Sequence, residues 1–259
     1  MPGKMRLLSF WCAHNLKYSF FDHNSQVILN ITPSSLTYMH ILKTDYNGNP
    51  NIGLFCYATD KYCLVPVSMQ EKEVEKIKEA LDVPAHRIKV AGTDLLGVFF
   101  SGNEEILFVP KIMFDKELKV LDELKIKYQV IDSDLTALGN NMVVANDSCI
   151  LNPDFEDNVI KKISKIFKTK KGQISGLNIV GSLAKGNKTH MVVSSEIEES
   201  ELKFLKDNLK LEITKATVNF GSPYVSSGIV CNSNGFLVGD LSGGPEIHNV
   251  DIGLGFLEE

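Results

Sequence analysis

The chain has 259 residues, 44% of them hydrophobic, and a formal net charge of −5 from 27 basic and 32 acidic side chains. That apolar content is ample for a core, whereas the acidic balance excludes a protein whose affinity comes mainly from neutralising phosphates, a mode that calls for a basic surplus. No apolar run reaches membrane-spanning length, so a soluble chain is expected, and five cysteines at irregular spacing match neither a disulfide framework nor paired metal ligands, which points to a reducing cytoplasm.

Residues 1–38 hold the sole tryptophan, Trp11, with Cys12, His14 and His23, and show no sustained helix or strand period. The run from Leu7 to Phe10 is too short for a secretory signal core. The segment is read as a disordered extension or the product of a misplaced start codon, with Met39 just before the first regular unit.

From Met39 onward, Gly53, Gly97, Gly139, Gly181 and Gly228 recur in steps of 44, 42, 42 and 47 residues. That period is one supersecondary unit repeated with variable loops. Each glycine is followed by an apolar anchor (Leu64, Leu107, Ile150, Met191, Leu237) and then by a breaker or small residue (Pro66, Pro110, Pro153, Ser194, Gly239).

An amphipathic helix comes next in every unit. Its apolar stripe is Val74, Ile77 and Leu81 in the first unit, Leu118, Leu121 and Leu124 in the second, and Ile160, Ile163 and Phe167 in the third. Leu202, Leu205 and Leu209 form the fourth stripe, and Pro245 suits the first turn of the fifth helix. Ser68 with Glu71, and Ser195 with Glu198, are spaced as capping boxes. Hairpins are expected from Met142 to Leu151 and from Ile229 to Val238, turning at Asn146-Asp147 and Asn234-Gly235.

The pattern predicts five units of strand, turn, strand, helix and strand, bounded near 39–90, 91–133, 134–174, 175–216 and 217–259. No unit of that size buries both a sheet face and a helix stripe alone, so the five are expected to share one core in an α/β ring with pseudo-fivefold symmetry.

Three ordered motifs then carry a resemblance: Gly48-Asn49-Pro50-Asn51-Ile52-Gly53, Leu135-Thr136-Ala137-Leu138-Gly139-Asn140-Asn141 and Thr217-Val218-Asn219-Phe220-Gly221-Ser222-Pro223. With Ala91-Gly92-Thr93 and Leu107-Phe108-Val109-Pro110, they resemble the translation initiation factor 6 family of ribosome anti-association factors, from Met39 to the C-terminus. The chain looks like an archaeal member, since it stops after the fifth helix without the acidic tail of eukaryotic relatives. The resemblance implies a pentein-type ring with helices outside. It also implies a cytoplasmic monomer that binds the large ribosomal subunit, near the sarcin–ricin loop, and blocks joining of the small subunit. A role in late large-subunit maturation is implied as well, with no catalysis, cofactor or metal.

The pseudo-symmetry should gather the residues after the five glycines, Leu54, Val98, Asn140, Ser182 and Ile229, at one end of the ring. In the family the asparagine after Ala-Leu-Gly contacts a large-subunit protein, and Asn140 matches it; a turn-capping role is its alternative. Eukaryotic relatives place an arginine at Val98 and a polar aromatic at Leu183, so for these two both packing and contact are open.

The acidic charge suits a basic protein partner. The cluster Lys161, Lys162, Lys165, Lys168, Lys170 and Lys171 is read as a solvated outer face, with rRNA contact as the alternative. The rival reading is a guanidine-modifying hydrolase or amidinotransferase of the same ring architecture. It would need Cys231 as nucleophile, but His86, His190 and His248 each lack the His-x-acid pattern of those enzymes, and Cys231 reads as a small buried hydrophobe. The stretch from Gly239 to Pro245 precedes a helix start, where backbone donors can hold an anion, yet lacks the consecutive Lys and Ser/Thr of a nucleotide loop.

Overall fold

The structure is a computed structural model that describes residues 9–10, 17–22, 25–29 and 40–257. Its contacts divide the chain into two units, Met1–Tyr38 and Met39–Glu259. In the first unit β1 (Ser9–Phe10), β2 (Lys17–Asp22) and β3 (Ser25–Leu29) form an antiparallel sheet with β2 in the middle. These strands differ from the expected unstructured extension, because the alternation in Lys17-Tyr18-Ser19-Phe20 is too brief to register as a sustained period. Trp11, Cys12, His14 and His23 lie outside the described residues.

The second unit opens with β4 (Ile41–Thr44) and then repeats one pattern five times. A helical turn leads into an antiparallel hairpin, an outer helix and a third strand parallel to the middle one. The first repeat comprises α1 (Ile52–Phe55), β5 (Tyr57–Ala58), β6 (Cys63–Pro66), α2 (Glu71–Leu81) and β7 (Ala85–Ile88). The second has α3 (Leu96–Phe99), β8 (Ser101–Gly102), β9 (Leu107–Pro110), α4 (Asp115–Glu123) and β10 (Tyr128–Ile131). The third has α5 (Leu138–Asn141), β11 (Met142–Ala145), β12 (Ser148–Leu151), α6 (Asp157–Ile163) and β13 (Lys168–Lys171). In the fourth a 3-10 turn, Val180–Ser182, precedes β14 (Ala184–Gly186), β15 (His190–Ser194), α7 (Glu199–Leu209) and β16 (Glu212–Ala216). The fifth has α8 (Val225–Gly228), β17 (Ile229–Cys231), β18 (Phe236–Gly239) and α9 (Gly244–Gly253).

The fifth sheet takes its third strand from the start of the ring. β4 pairs in parallel with β18, Ile41 opposite Phe236 and Thr44 opposite Gly239, so residues 41–44 complete the last unit rather than the first. His40 Nε2 lies 2.8 Å from Asp251 Oδ1 at the same junction, joining the first strand to the last helix. This closes the ring, and the first and fifth expected unit boundaries move accordingly.

The apolar residues occupy five separate seams instead of one shared core. Successive side chains of a strand point to opposite faces, and each middle strand feeds two seams in this way. Cys63 and Val65 pack with α2 and with Leu237 of the fifth unit, while Leu64 between them packs with Leu107, Val109 and Leu121 of the second. Phe108 turns to the seam of Cys149, Leu151 and Ile163, and Ile150 to that of Met191, Val193 and Leu205. Val192 packs with Phe236, Val238 and Val250. Every middle strand is therefore buried on both faces, which explains its continuous apolar run.

The helix starts differ from the expected serine boxes. α2 begins at Glu71 itself, and the Ser68 hydroxyl instead meets Tyr46 and Asp94. In the second, fourth and fifth units a glutamate two or three residues into the helix does the capping. Glu117 accepts from the N–H groups of Phe114, Ala91 and Gly92, at 3.0, 2.9 and 2.8 Å. Glu201 accepts from Glu198, Ser175 and Gly176, and Glu246 from Gly243, Phe220 and Gly221. One carboxylate thereby ties each helix N-terminus to the turn that follows the preceding unit's last strand.

The two predicted hairpins form. Asn146 takes φ 51° in the two-residue turn between Ala145 and Ser148. In the second, Asn232 shapes the turn in place of Asn234: its N–H donates to the Gly235 carbonyl and its Oδ1 accepts the N–H groups of Asn234 and Gly235.

Candidate functional site

The five helical turns meet around the axis of the ring. A Cβ on Gly97 would stand 1.9 Å from the Gly53 carbonyl oxygen, one on Gly139 2.0 Å from that of Gly97, and one on Gly181 2.0 Å from that of Gly139. A Cβ on Gly53 would meet the Ser226 oxygen at 1.9 Å. The fifth member of this ring is thus Ser226 and not Gly228, whose missing Cβ faces Val218 instead. The ring position falls four residues after the close of each bridge, at Asn49, Thr93, Leu177 and Ser222, which puts the fifth at 226 even though the bridge Val218 to Ser222 is one residue longer than the others.

Backbone packed this closely makes the axial end stiff. The residues that follow the ring positions are Leu54, Val98, Asn140, Ser182 and, in corrected register, Ser227, all half-buried. Ile229 is fully buried, as is Leu183 at 1% exposure within the seam of Val143 and Val193. Neither can touch a partner directly, so packing is the role of Leu183.

Asn140 and Asn141 divide the work at the third turn. Asn141 Nδ2 donates to the Ala137 carbonyl at 2.8 Å, and its Oδ1 accepts from Asn152 Nδ2 at 2.6 Å. Structural capping therefore belongs to Asn141. Asn140 donates its backbone N–H to Ala137, and among the described residues its side-chain amide has no hydrogen-bond partner. A planar donor and acceptor is left unpaired on a half-buried residue next to the axial glycine Gly139.

The loops that follow the strands at this same end of the ring, spread over all five units, carry acidic and apolar groups. Lys111 neutralises Asp132 and Asp134, whereas Asp94, Asp154, Glu196 and Asp240 have no lysine or arginine partner among the described residues. Exposed apolar side chains accompany them, including Val67, Ile112, Phe114 and Phe220. The lysine cluster lies elsewhere, on α6, its exit and β13. Lys162 donates to the Val130 carbonyl and Lys168 to Asp147, leaving Lys161, Lys165, Lys170 and Lys171 as solvated surface.

The hairpin loops meet at the other end, over a cavity of about 180 Å³ lined by Asp60, Glu104, Asn146, Lys188 and Cys231 among others. Lys188 Nζ stands 2.8 Å from Asp60 and 2.7 Å from Glu104, so both carboxylates hold the chain's own cation. Cys231 donates its thiol to the Gly186 carbonyl at 3.2 Å, and burial pushes the thiol up to about 11. A protonated, buried thiol is a poor nucleophile. Cys56, Cys63 and Cys149 are buried likewise, with burial raising each thiol. In the stretch from Gly239 to Pro245, before α9, the Gly243 N–H is already taken by the Glu246 carboxylate at 2.9 Å.

The ring of backbone contacts and the unpaired Asn140 amide thus stand at one end of the ring, and the Lys188 bridge occupies the channel at the other. Residues 41–252 match the family model described as the eIF-6 family. The chain belongs to that family. Translation initiation factor 6 of Pyrococcus horikoshii is 33% identical over 227 residues, covering 85% of this chain and 100% of that protein. The factors of the same name from Staphylothermus marinus and Thermococcus onnurineus are 36% and 34% identical, over 83% and 85% of this chain and 98% and 100% of theirs. These relatives carry the name of a translation factor, not of an enzyme. An amidinotransferase from Microseira wollei aligns with 64% of this chain and 61% of its own at a TM-score of 0.41 and 12% identity, a likeness too slight to carry an argument.

The motifs around Gly53, Gly97, Gly139 and Gly181 led to the axial face from sequence. Missed were the glutamate clasps, the Lys188 bridge and the true fifth ring position. Glu117, Glu201 and Glu246 do recur 25 or 26 residues after the turns they hold, a spacing that sequence comparison of the units could have revealed.

Proposed function

We propose that this eIF-6 family member binds the large ribosomal subunit through the axial end of its ring and prevents the small subunit from joining by occupying the shared surface. It acts as a cytoplasmic monomer, in initiation control and in late assembly of the large subunit. Its target there is a basic ribosomal protein beside the sarcin–ricin loop. The single observation that carries this reading is the Asn140 amide, unpaired at the centre of a stiff, acidic face while its neighbour Asn141 does the structural work. A rigid face loses little conformational entropy on docking, and its carboxylates complement a basic surface. No helix among the described residues is long and apolar enough to cross a membrane, which agrees with a factor that meets ribosomes in the cytoplasm.

Sedimentation of purified archaeal subunits with the protein tests it. Co-migration with large subunits and fewer joined ribosomes are expected. Asn140→Ala should weaken binding by about tenfold or more, as a central interface residue does, with the melting temperature unchanged because no internal hydrogen bond is lost. A protein that stays at the top of the gradient would refute the reading.

A further inference from the structure

We propose that Phe220 is an anchor by which the axial end seats on a basic protein segment of its partner, an inference that rests on the docking reading above.

The turn that carries Phe220 is unlike its three siblings. Asn47-Gly48, Ala91-Gly92 and Ser175-Gly176 each place two residues in the left-handed region, the second a glycine. The fifth-unit turn places three there, Asn219 at φ 49°, Phe220 at 63° and Gly221 at 87°, and is one residue longer. Glycine adopts this conformation freely and asparagine tolerates it, but for a bulky side chain it is strained. Phe220 gains nothing from burial in return. It is 81% exposed, against 39–49% for the other exposed large hydrophobic residues of the ring. Any residue could supply the backbone N–H that Glu246 takes, but neither the strained torsion nor the exposed ring of phenylalanine favours the fold, so this side chain is explained by something outside the chain.

The turn is also held ready. Glu246 grips the N–H groups of Phe220 and Gly221, Ser242 Oγ accepts the Asn219 N–H at 2.9 Å, and Asn219 Nδ2 donates to the Pro50 carbonyl at 3.1 Å. The ring therefore projects from a fixed base, as preorganised contact residues do. Tyr224 in the same loop and Leu241 beside Ser242 extend the apolar surface, at 42% and 45% exposure. Glu246, bound to the Phe220 N–H, and the exposed Asp240 next to Leu241 give this part of the fifth unit negative charge. An aromatic ring on an acidic surface attracts an arginine or lysine through both its quadrupole and that charge, whereas the same charge repels a phosphate backbone. The occupant is a basic protein segment and not RNA.

Phe220→Gly and Phe220→Asn, made in the full chain, separate contact from fold. Both residues accept the left-handed conformation, so the melting temperature should hold or rise, while affinity for purified large subunits should fall about tenfold or more. Undiminished binding by either variant, where the wild type binds, overturns the proposal and leaves the docking reading standing. A drop in melting temperature overturns it too, by showing that the ring supports the fold. Failure of the wild type to bind removes both. A photoreactive phenylalanine at position 220 should cross-link to a ribosomal protein, and cross-linking to rRNA alone would overturn the assigned partner class.

Discussion

At the residue scale, the glycines of the axial ring are required by what lies opposite them rather than by their own torsions. Gly53, Gly97, Gly139 and Gly181 avoid the left-handed region, and each faces a carbonyl oxygen of the neighbouring turn with no room for a methyl group. Gly139→Ala should destabilise the protein by roughly 3 kcal/mol and lower Tm by roughly 6–12 °C, because backbone on both sides must move. Differential scanning calorimetry checks this, and an unchanged Tm would mean the turns are not packed as described. The period of these glycines was legible because at four of the five ring positions a Cβ would strike the backbone of the neighbouring turn. Position 226 was not, since a serine there leaves no such signature and Gly228 imitates one two residues later.

The element scale is governed by how each helix is tied to its unit. The glutamate clasp satisfies three backbone donors at once, and Glu117 does so while buried at 4% exposure. Glu117→Ala should cost roughly 2–4 kcal/mol, since it strands donors that water barely reaches. Urea denaturation would measure it.

The third unit makes a smaller tie with Glu156, the residue before α6, which accepts from the Asp134 N–H at 3.0 Å and the Ser133 hydroxyl at 2.6 Å. Those donors, the Asp134 N–H foremost, hold its carboxyl below the ordinary glutamate range. The sign follows from linkage: a depressed folded value adds stability that is complete above the unfolded value near 4.3 and lost as pH falls through the folded one. Glu156→Gln should therefore lower stability at pH 6 and flatten its decline between about pH 4.5 and pH 3. Parallel pH profiles for wild type and variant would contradict this. These clasps escaped a local reading because carboxylate and turn lie some 25 residues apart, whereas capping boxes are sought within four.

At the scale of the whole ring, stability is distributed over five seams and one closure. The closure depends on β4, whose Leu42 pairs with Leu237 and packs in the first seam. Leu42→Asp should loosen the fifth sheet and cost roughly 1–3 kcal/mol, by removing an apolar side chain from the seam and setting a carboxylate half-buried in its place, with loss of amide-exchange protection in both β4 and β18. Lys188 adds a tie across the channel from the fourth unit to Asp60 of the first and Glu104 of the second. Hydrogen bonds to Asp60 and Glu104 raise its ammonium above the ordinary lysine value. Its side chain is 50% exposed, so screening limits the effect. Lys188→Met should cost about 1 kcal/mol, shrinking as salt rises from 0.05 to 1 M.

The sequence by itself determined the repeat, the apolar runs of the middle strands, the outer helices and the motifs that lead to Asn140. These are written in short apolar runs and in periodicities of three to four and about forty residues, all of them constraints carried by neighbouring positions along the chain. Only the tertiary structure decided that β4 completes the last sheet, that the core is five seams, that Ser226 closes the axial ring and that Lys188 bridges the channel. Those outcomes join groups far apart in the chain, where pairing is set by which surfaces remain unburied once every unit has folded. Asn140 shows both levels at once: the motif singled it out, but its free amide became visible only when Asn141 was seen bonded to Ala137 and Asn152.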